Sequence, residues 1–342
     1  MKKNNQLLMT ILKGRTFIVL ILLVIFFSFA SPAFISPATL TMVAKHVALY
    51  GILALGMTFV IITGGIDLSV GSVVGLVGML AGGMIQEGLT IGSKTLYFSV
   101  PAIVVIMLII GALIGVINGL IITKLNVAPF IATLGTMYIC RGFANLRSGG
   151  ATFSKLAGFE GLGNVGLKTL GSNWGPIPAG VYIFAVLAII SAYLLKKTAF
   201  GWHVLATGGN VRAARLSGIK TDMTMILVYV ISGFCAAWIG LINTAQLAAA
   251  HPAAGDSWEM NAIAATVLGG TSMAGGSGTI LGTIVGAFVI GVINDGMTMC
   301  GVSEFWQKVI RGFVIILAVV IDQAQRNLQA KMALQARNES KN

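Results

Sequence analysis

The sequence predicts an all-α, multi-pass membrane protein of about ten transmembrane helices, and its composition is the first reason. The chain has 342 residues, of which 56% are hydrophobic and only 9% are charged. A soluble protein carries roughly a quarter charged residues, so its surface could not be covered from this supply. The mean hydropathy of +0.93 agrees. These values exclude a soluble enzyme, a disordered chain and a disulfide scaffold.

The spacing of the apolar runs gives the expected number of spans. Most runs approach the ~20 residues that a helix needs to cross a bilayer. The first run follows basic residues but no A-x-A cleavage pattern comes after it, which favours an uncleaved helix over a signal peptide. The ten runs lie at 17–30, 46–63, 70–86, 97–122, 128–146, 178–195, 223–245, 259–271, 280–298 and 305–322.

The basic residues predict the orientation of these spans. Most of the 22 lysines and arginines fall in the terminal segments and in alternate loops, so the positive-inside rule places both termini in the cytoplasm. We expect one transmembrane domain over 1–342, with cytoplasmic tails at 1–16 and 323–342 and a long inner loop at 196–222. The net charge of +12 forms no single patch, so no nucleic-acid partner is expected.

A five-residue repeat favours an arrangement of two inverted halves. Residues 114–118 and 290–294 share the sequence IGVIN and fall in the fourth and ninth spans. Equivalent positions in two five-helix halves require the halves to be inverted, because five is an odd number. Chance identity in so apolar a composition is the alternative.

The stretch TGGIDLSVGS at 63–72 predicts a broken helix between the second and third spans. A carboxylate inside a bilayer costs a few kcal/mol, and the flanking glycines can release the backbone from helical geometry. One interpretation is that Asp67 or Ser69 caps the third helix. The other is that Gly65, Asp67 and Ser69 lie on a transport path, as broken helices do in transporters. Both can hold together.

A second break is predicted around the short eighth run. Asp256 and Glu259 have the spacing of a capping box, but the helix that they would begin is too short to cross the bilayer. The glycine-rich stretch that follows suggests irregular backbone facing protein or water, with Thr271 and Ser272 near the path. A flexible inner loop is the alternative.

Neutral polar residues on the spans complete the candidates for a path. Each of them could simply hydrogen-bond a neighbouring helix. Along a cavity they would offer the donors and acceptors that a polyol or sugar needs. These residues are Asn118, Asn243, Gln246 and Asn294.

The 196–222 loop is predicted to present a docking helix. Asn210 suits an N-cap position, residues 211–217 favour a helix and Gly218 suits the C′ position. A helix of about two turns is unstable alone, so the flanking spans would have to hold it in place. We expect it to pack into a groove of a partner protein. A basic loop on lipid headgroups is the alternative. The candidate docking residues are Gly208, Gly209, Asn210, Arg212, Ala213, Ala214, Arg215, Ser217 and Gly218.

No motif for energy conversion or catalysis accompanies these segments. The sequence has no GxxxxGK[ST] phosphate loop, and its three histidines and three cysteines are scattered. We therefore expect no enzyme activity, cofactor or metal, and a motor supplied by a partner. An ion-coupled secondary transporter for a small polar solute, a membrane-embedded enzyme and a scaffold are the alternatives.

Four segments resemble the ribose-type permease subunits of bacterial ATP-binding-cassette importers. The similarity keeps the same order over nearly the whole chain. The segments are GMTFVIITGGIDLSVGS (56–72), PFIATLGTMYICRG (129–142), ATGGNVRAARLSGI (206–219) and NAIAATVLGGTSMAGGSGTILGT (261–283).

This resemblance implies a permease in the bacterial inner membrane that translocates a monosaccharide or similar solute. Its implied partners are a cytoplasmic ATP-binding-cassette ATPase, a periplasmic sugar-binding protein and a second copy or a homologous permease. By the same resemblance, residues 208–218 are the coupling element that meets the ATPase. The 65–69 break and the 266–278 stretch would then lie near the translocation path.

Overall fold

The chain folds into a helical bundle in which short helices and two-stranded ribbons connect the long helices. This computed structural model describes the backbone of residues 2–339 and the side chains of residues 14, 16–90, 92–317, 319–321 and 323–324. The helices of this part of the chain are α1 (Lys2–Ala30), α2 (Pro37–Ile62), α3 (Val70–Gln86), α4 (Val100–Lys124), α5 (Pro129–Leu146), α6 (Lys168–Gly171), α7 (Ala179–Lys197), α8 (Ala199–Gly209), α9 (Val211–Leu216), α10 (Thr221–Leu247), α11 (Trp258–Leu268), α12 (Ile280–Met299) and α13 (Glu304–Glu339).

Within residues 2–339, six short strands form three antiparallel pairs. β1 (Leu89–Ile91) pairs with β2 (Lys94–Leu96), and β4 (Asn173–Trp174) pairs with β5 (Ile177–Pro178). The third pair joins distant segments, β3 (Phe153–Ser154) and β6 (Ala249–Ala250).

The ten predicted runs match α1–α5, α7 and α10–α13 in order. Among the described residues, five helices are long and apolar enough to cross a membrane, namely α2, α4, α7, α10 and α12. Helix α3 and residues 16–30 of α1 are shorter apolar helices. The chain is thus a multi-pass membrane protein, while the exact number of ten crossings stays a prediction. The predicted tails continue α1 and α13 as helix, apart from residues 1 and 340–342, which lie outside the described residues.

Helix α2 forms the centre of the bundle. It packs against α10, α12, α11 and α7, and all of its residues 51–62 are buried. A helix segment buried on all sides is apolar all round, as residues 51–62 of α2 are apart from Thr58. Its start is fixed by Pro37 in the first turn and by Ser36, whose hydroxyl accepts a hydrogen bond from the Thr39 backbone N–H at 3.3 Å.

The two halves of the chain pack reciprocally. Helix α4, the fourth of the first half, packs on α10, the second of the other half. Correspondingly, α12 packs on α2, and the third helices α3 and α11 pack on α10 and α2. Lys124 at the end of α4 meets Asp222 at the start of α10, whereas α12 begins near this end of the molecule, so α4 and α12 run in opposite directions. This pattern supports the inverted halves.

Glycines allow the backbones of α4 and α10 to touch. A Cβ atom on Gly115 would overlap the carbonyl of Tyr229, and one on Gly233 would overlap the carbonyl of Gly111. Small residues at a helix interface have this effect in membrane proteins.

The two ends of the bundle carry different connecting segments. We call the end that carries residues 198–220 the inner end, and the end that carries residues 147–178 the outer end. The outer segment folds over the helices, since the buried Asn164 donates a hydrogen bond to the Ile85 carbonyl at 2.8 Å. Arg147 pairs with Glu87 at 2.6 Å beside it.

Candidate functional site

The first break is held by a buried carboxyl group. Asp67 is 1% exposed, and its Oδ1 accepts hydrogen bonds from the backbone N–H of Ser69 at 3.0 Å and from the Ser69 hydroxyl at 2.6 Å. Its Oδ2 accepts from the hydroxyl of Ser232 on α10 at 2.7 Å. Both carboxyl oxygens therefore have protein donors, and the break is pinned to α10.

The same network reaches α4 and α5. The Asn118 amide donates from Nδ2 to the Ser69 hydroxyl at 3.0 Å and accepts at Oδ1 from Thr136 at 2.6 Å. We call Asp67, Ser69, Asn118, Thr136 and Ser232 the Asp67 cluster. It joins four helices through buried, mutually bonded groups, which fixes the geometry of the break.

The interpretation that Asp67 or Ser69 caps α3 is wrong. Ser69 occupies the N-cap position without a side-chain bond to the helix, and Asp67 accepts from the Ser69 backbone N–H in the turn before the helix. A role for Gly65, Asp67 and Ser69 on a transport path stays a prediction. Gly65 packs against the hydroxyl of Tyr229, where a side chain would clash.

Arg141 stabilises the turns before the second break, although the sequence analysis did not select it. Arg141 on α5 donates from Nη1 to the carbonyls of Pro252 at 2.5 Å and Ala254 at 2.9 Å. Its Nη2 donates to the carbonyl of Gly71 on α3 at 3.4 Å. An arginine within an apolar run was the available signal, because such residues are rare and need partners.

The predicted capping box at the second break is wrong. Helix α11 begins after Ser257, which has a φ of 62° and makes no side-chain cap, and the Asp256 backbone N–H bonds the Ala253 carbonyl in a turn. The carboxylate of Glu259 instead lies against Gly71. Arg141 bonds the turns before α11 and so fixes the direction in which the chain enters the helix. In that direction Ser257, and not Asp256, is the residue before the first helical turn. The helix is nevertheless as short as expected, with 11 residues.

At the inner end, three backbone segments meet at glycines. The N–H of Gly276 donates to the carbonyl of Ile62, the last residue of α2, at 2.8 Å. A Cβ atom on Gly208 of α8 would overlap that same carbonyl and lie 2.6 Å from the Gly276 nitrogen. Gly275, with a φ of 85°, packs on the Gly208 carbonyl. We call Ile62, Gly208, Gly275 and Gly276 the glycine junction.

The helix predicted over residues 211–217 is confirmed as α9 (Val211–Leu216), its docking role stays a prediction, and a second helix precedes it. Asn210 caps α9 by accepting from the Ala213 N–H at 3.0 Å, and Gly218 follows the helix with a φ of 86°. Helix α8 was missed because its sequence, AFGWHVLATGG, carries three glycines. Thr198 caps it by accepting from the Gly201 N–H at 3.3 Å.

The two arginines of α9 differ in their surroundings. Arg215 donates to the Thr221 hydroxyl at 3.2 Å and to Asp222 Oδ1 at 2.8 Å, while Lys124 bonds the other oxygen of Asp222 at 3.0 Å. Arg212 is exposed. Leu216, which the sequence analysis did not select, is 90% exposed. Arg215 thus ties α9 to the bundle, and Arg212 and Leu216 face outward. Of the other candidates, Gly209, Asn210, Ala213, Ser217 and Gly218 are exposed and Ala214 is buried.

The candidates for a path occupy three separate places. Four of them, Gly65, Asp67, Ser69 and Asn118, lie in or beside the Asp67 cluster. Thr271 and Ser272 are buried in the glycine-rich loop at the inner end. Asn243, Gln246 and Asn294 lie in the outer parts of α10 and α12. The structure therefore does not bring them together into one site.

Comparison with known proteins places this architecture in a family. A family model described as "Branched-chain amino acid transport system / permease component" matches residues 39–319. The "Ribose import permease protein RbsC" of Bacillus subtilis is 43% identical over 90% of this chain and 91% of its own. Its namesake in Escherichia coli K12 is 37% identical over 92% and 95% of the two chains.

A further relative is named for a different sugar. The "Galactose/methyl galactoside import permease protein MglC" of Escherichia coli K12 is 34% identical over 93% of this chain and 96% of its own. No solved structure gives a significant match. Because the family model and these relatives each cover most of the chain, this protein belongs to the family of transport-system permease components.

Proposed function

We propose that this chain is the membrane subunit of an ATP-binding-cassette importer that carries a monosaccharide or a similar small polyhydroxylated solute across the bacterial inner membrane. The relatives named as ribose and galactose import permeases support this substrate class. The chain is a transport subunit rather than an enzyme, and ATP hydrolysis resides in a partner ATPase.

The proposal includes the topology and the partners. The whole of 1–342 forms one transmembrane domain with both termini in the cytoplasm, on the side that the positive-inside rule assigns to the inner end. A periplasmic sugar-binding protein delivers the solute at the outer end. A second copy, or a homologous permease, completes the pair of membrane subunits.

The coupling role is supported by the way in which α9 is attached to the bundle and exposed at its inner end. Arg212 and Leu216 face outward, where an ATPase groove can receive them, while Arg215 and Asp222 attach the helix to α10. Behind it, α8 touches the end of α2 at the glycine junction. A displacement of α9 by the ATPase therefore acts on the end of α2 and on the glycine-rich loop, the two segments next to the breaks.

The path candidates near the breaks would act weakly and without charge. Amide and hydroxyl groups such as Asn118, Thr271 and Ser272 exchange hydrogen bonds with water and sugar at similar free energy. A solute held tightly on the path would not leave it, so recognition belongs mainly to the binding protein. In this proposal the Asp67 cluster stabilises one arrangement of the broken helix.

The alternative of an ion-coupled secondary transporter makes a different demand. It needs a titratable group open to the path, and Asp67 was the sequence-based candidate. Both oxygens of that carboxyl group are bonded by Ser69 and Ser232. ATP-independent uptake by the chain alone in vesicles would support this alternative.

Charge reversal on α9 tests the coupling role. Arg212→Glu together with Arg215→Glu should abolish co-purification of the ATPase from native membranes while the permease still inserts. Arg212→Glu alone should cause most of the loss, because Arg215 already bonds Asp222. Lys220→Glu, an equal charge change on an exposed residue of the same loop outside α9, is the control. Normal ATPase binding by the double variant would show that the docking assignment is wrong.

A further inference from the structure

A polar cavity of about 410 Å³ lies toward the outer end, away from the Asp67 cluster. Its walls come from α2, the start of α11, α12 and the first turns of α13. The polar and aromatic side chains in these walls include His46, Tyr50, Trp258, Asn294, Asp295 and Arg311. We call it the outer cavity. Its volume is within the ~300–1,000 Å³ of small-molecule sites.

Two nearly buried side chains in this wall have polar atoms without partners. Asn294 is 9% exposed, and neither its amide oxygen nor its nitrogen makes a hydrogen bond of normal geometry, although Tyr50 lies beside it. Asp295 is 4% exposed, and its Oδ1 bonds His46 Nδ1 at 2.7 Å while its Oδ2 has no partner. A buried polar group left unbonded costs about 1–3 kcal/mol. These groups therefore point to a polar occupant.

The inverted halves give this arrangement a direct comparison. Asn294 and Asn118 end the two copies of IGVIN, in α12 and α4. The Asn118 amide is bonded by Ser69, at the start of the third helix, and by Thr136 on the fifth helix of its half. In the second half, the start of α11 and the first turns of α13 occupy the corresponding positions around Asn294. There they line the outer cavity instead. The inner copy is closed and the outer copy is open.

The two halves therefore place equivalent asparagines in different surroundings, and the cavity at Asn294 has room for a ligand. We propose that the outer cavity binds a polyhydroxylated solute of monosaccharide size during its passage, with Asn294 and Asp295 bonding its hydroxyl groups. This inference rests on the proposed function and adds to it the place on this chain where the solute is bonded.

The chemistry of the wall suits a sugar better than an ion or an apolar molecule. An amide both donates and accepts, the free Asp295 oxygen accepts, and Arg311 supplies N–H donors, which matches adjacent hydroxyl groups. Tyr50 and Trp258 pack edge to face with ring centroids 5.8 Å apart and give an apolar surface for the C–H face of the ring. The mixture of both charge signs favours neutral solutes over either kind of ion.

A cysteine-protection experiment tests this site in the assembled transporter. Thr298→Cys, at the rim of the cavity, is made in a Cys300→Ser background, because Cys300 is exposed while Cys140 and Cys235 are buried. Right-side-out vesicles are treated with a membrane-impermeant maleimide. The probes are D-ribose, D-galactose, D-glucose, D-xylose and L-arabinose, with betaine at equal concentration as the osmotic control.

We expect labelling at position 298, slowed about threefold or more by at least one sugar, as two-thirds occupancy of the site gives. Asn294→Cys, in the same background, lacks a proposed bonding group and should be protected less by the same sugar. Asn118→Cys is the matched control, and it should stay unlabelled from outside with or without sugar.

Labelling that none of the sugars slows would overturn the inference and leave a cavity filled with water only. Equal protection of Asn294→Cys and Thr298→Cys would show that Asn294 does not bond the solute and would also overturn it. The proposed function is judged separately, by ATP-dependent uptake of the same sugars. Uptake without protection refutes the outer cavity alone, and the lack of uptake of every sugar refutes the proposed function.

Discussion

Gly208→Ala is the substitution that most directly probes how α9 is linked to the broken helices. The added methyl group would overlap the Ile62 carbonyl and approach the Gly276 nitrogen to 2.6 Å. Both atoms belong to the backbone, so no side-chain rotation can relieve the contact. The end of α8 must therefore move away from the glycine junction.

The expected cost follows from two opposing effects. Overpacking a closely fitted site costs about 1–3 kcal/mol, whereas alanine gains up to about 1 kcal/mol over glycine within a helix. The net cost at position 208 is thus up to about 2 kcal/mol. If the junction forms in only one transport state, this shifts the equilibrium between the states by a factor of up to roughly 30.

ATP-driven uptake in proteoliposomes with the ATPase and binding protein is the assay, together with ATPase co-purification. Uptake should fall several-fold while the ATPase stays bound, because α9 itself is unchanged. Gly209→Ala is the matched control, since a Cβ atom there meets nothing within 4 Å. Equal losses in the two variants, or normal uptake by Gly208→Ala, would refute the reasoning.

Three further substitutions test the packing of the bundle by thermal unfolding in detergent. Asp67→Asn should lower stability by about 1–3 kcal/mol, because an amide nitrogen cannot accept the bonds that the carboxyl oxygens accept; an unchanged Tm would contradict the cluster. Arg141→Lys should cost a similar amount, since an ammonium group cannot span the three carbonyls; full stability would show that they need no such brace. Gly115→Ala should separate α4 from α10 and cost about 1–3 kcal/mol, whereas Gly142→Ala, with open space around its Cβ, should not.

Features that depend on local chemistry could be predicted from the sequence. The apolar runs gave the long helices in order, because hydropathy alone decides which segments a bilayer accepts. The cap of α9 followed from Asn210 and Gly218, which act on their own neighbours in the chain. The break at Asp67 was visible because a carboxyl group among glycines is unusual in such a run.

Features that depend on distant partners could not be predicted. Ser232 and Thr136 are ordinary residues of apolar helices until the fold places them beside Asp67 and Asn118. Asp256 and Glu259 had suitable spacing for a cap, but Arg141 fixes the turns before α11 from another helix. Gly208 was assigned to the docking surface, and only the fold shows that it faces the end of α2.

The reciprocal packing of the two halves has a consequence for biosynthesis. Helices α2, α3 and α4 leave the ribosome long before α10, on which all three pack. Until α10 arrives, the carboxyl group of Asp67 lacks its bond from Ser232, and the glycine face of α4 has no helix to receive it. Neither half of the chain is complete without the other, so a newly made first half stays partly folded in the membrane until the second half arrives.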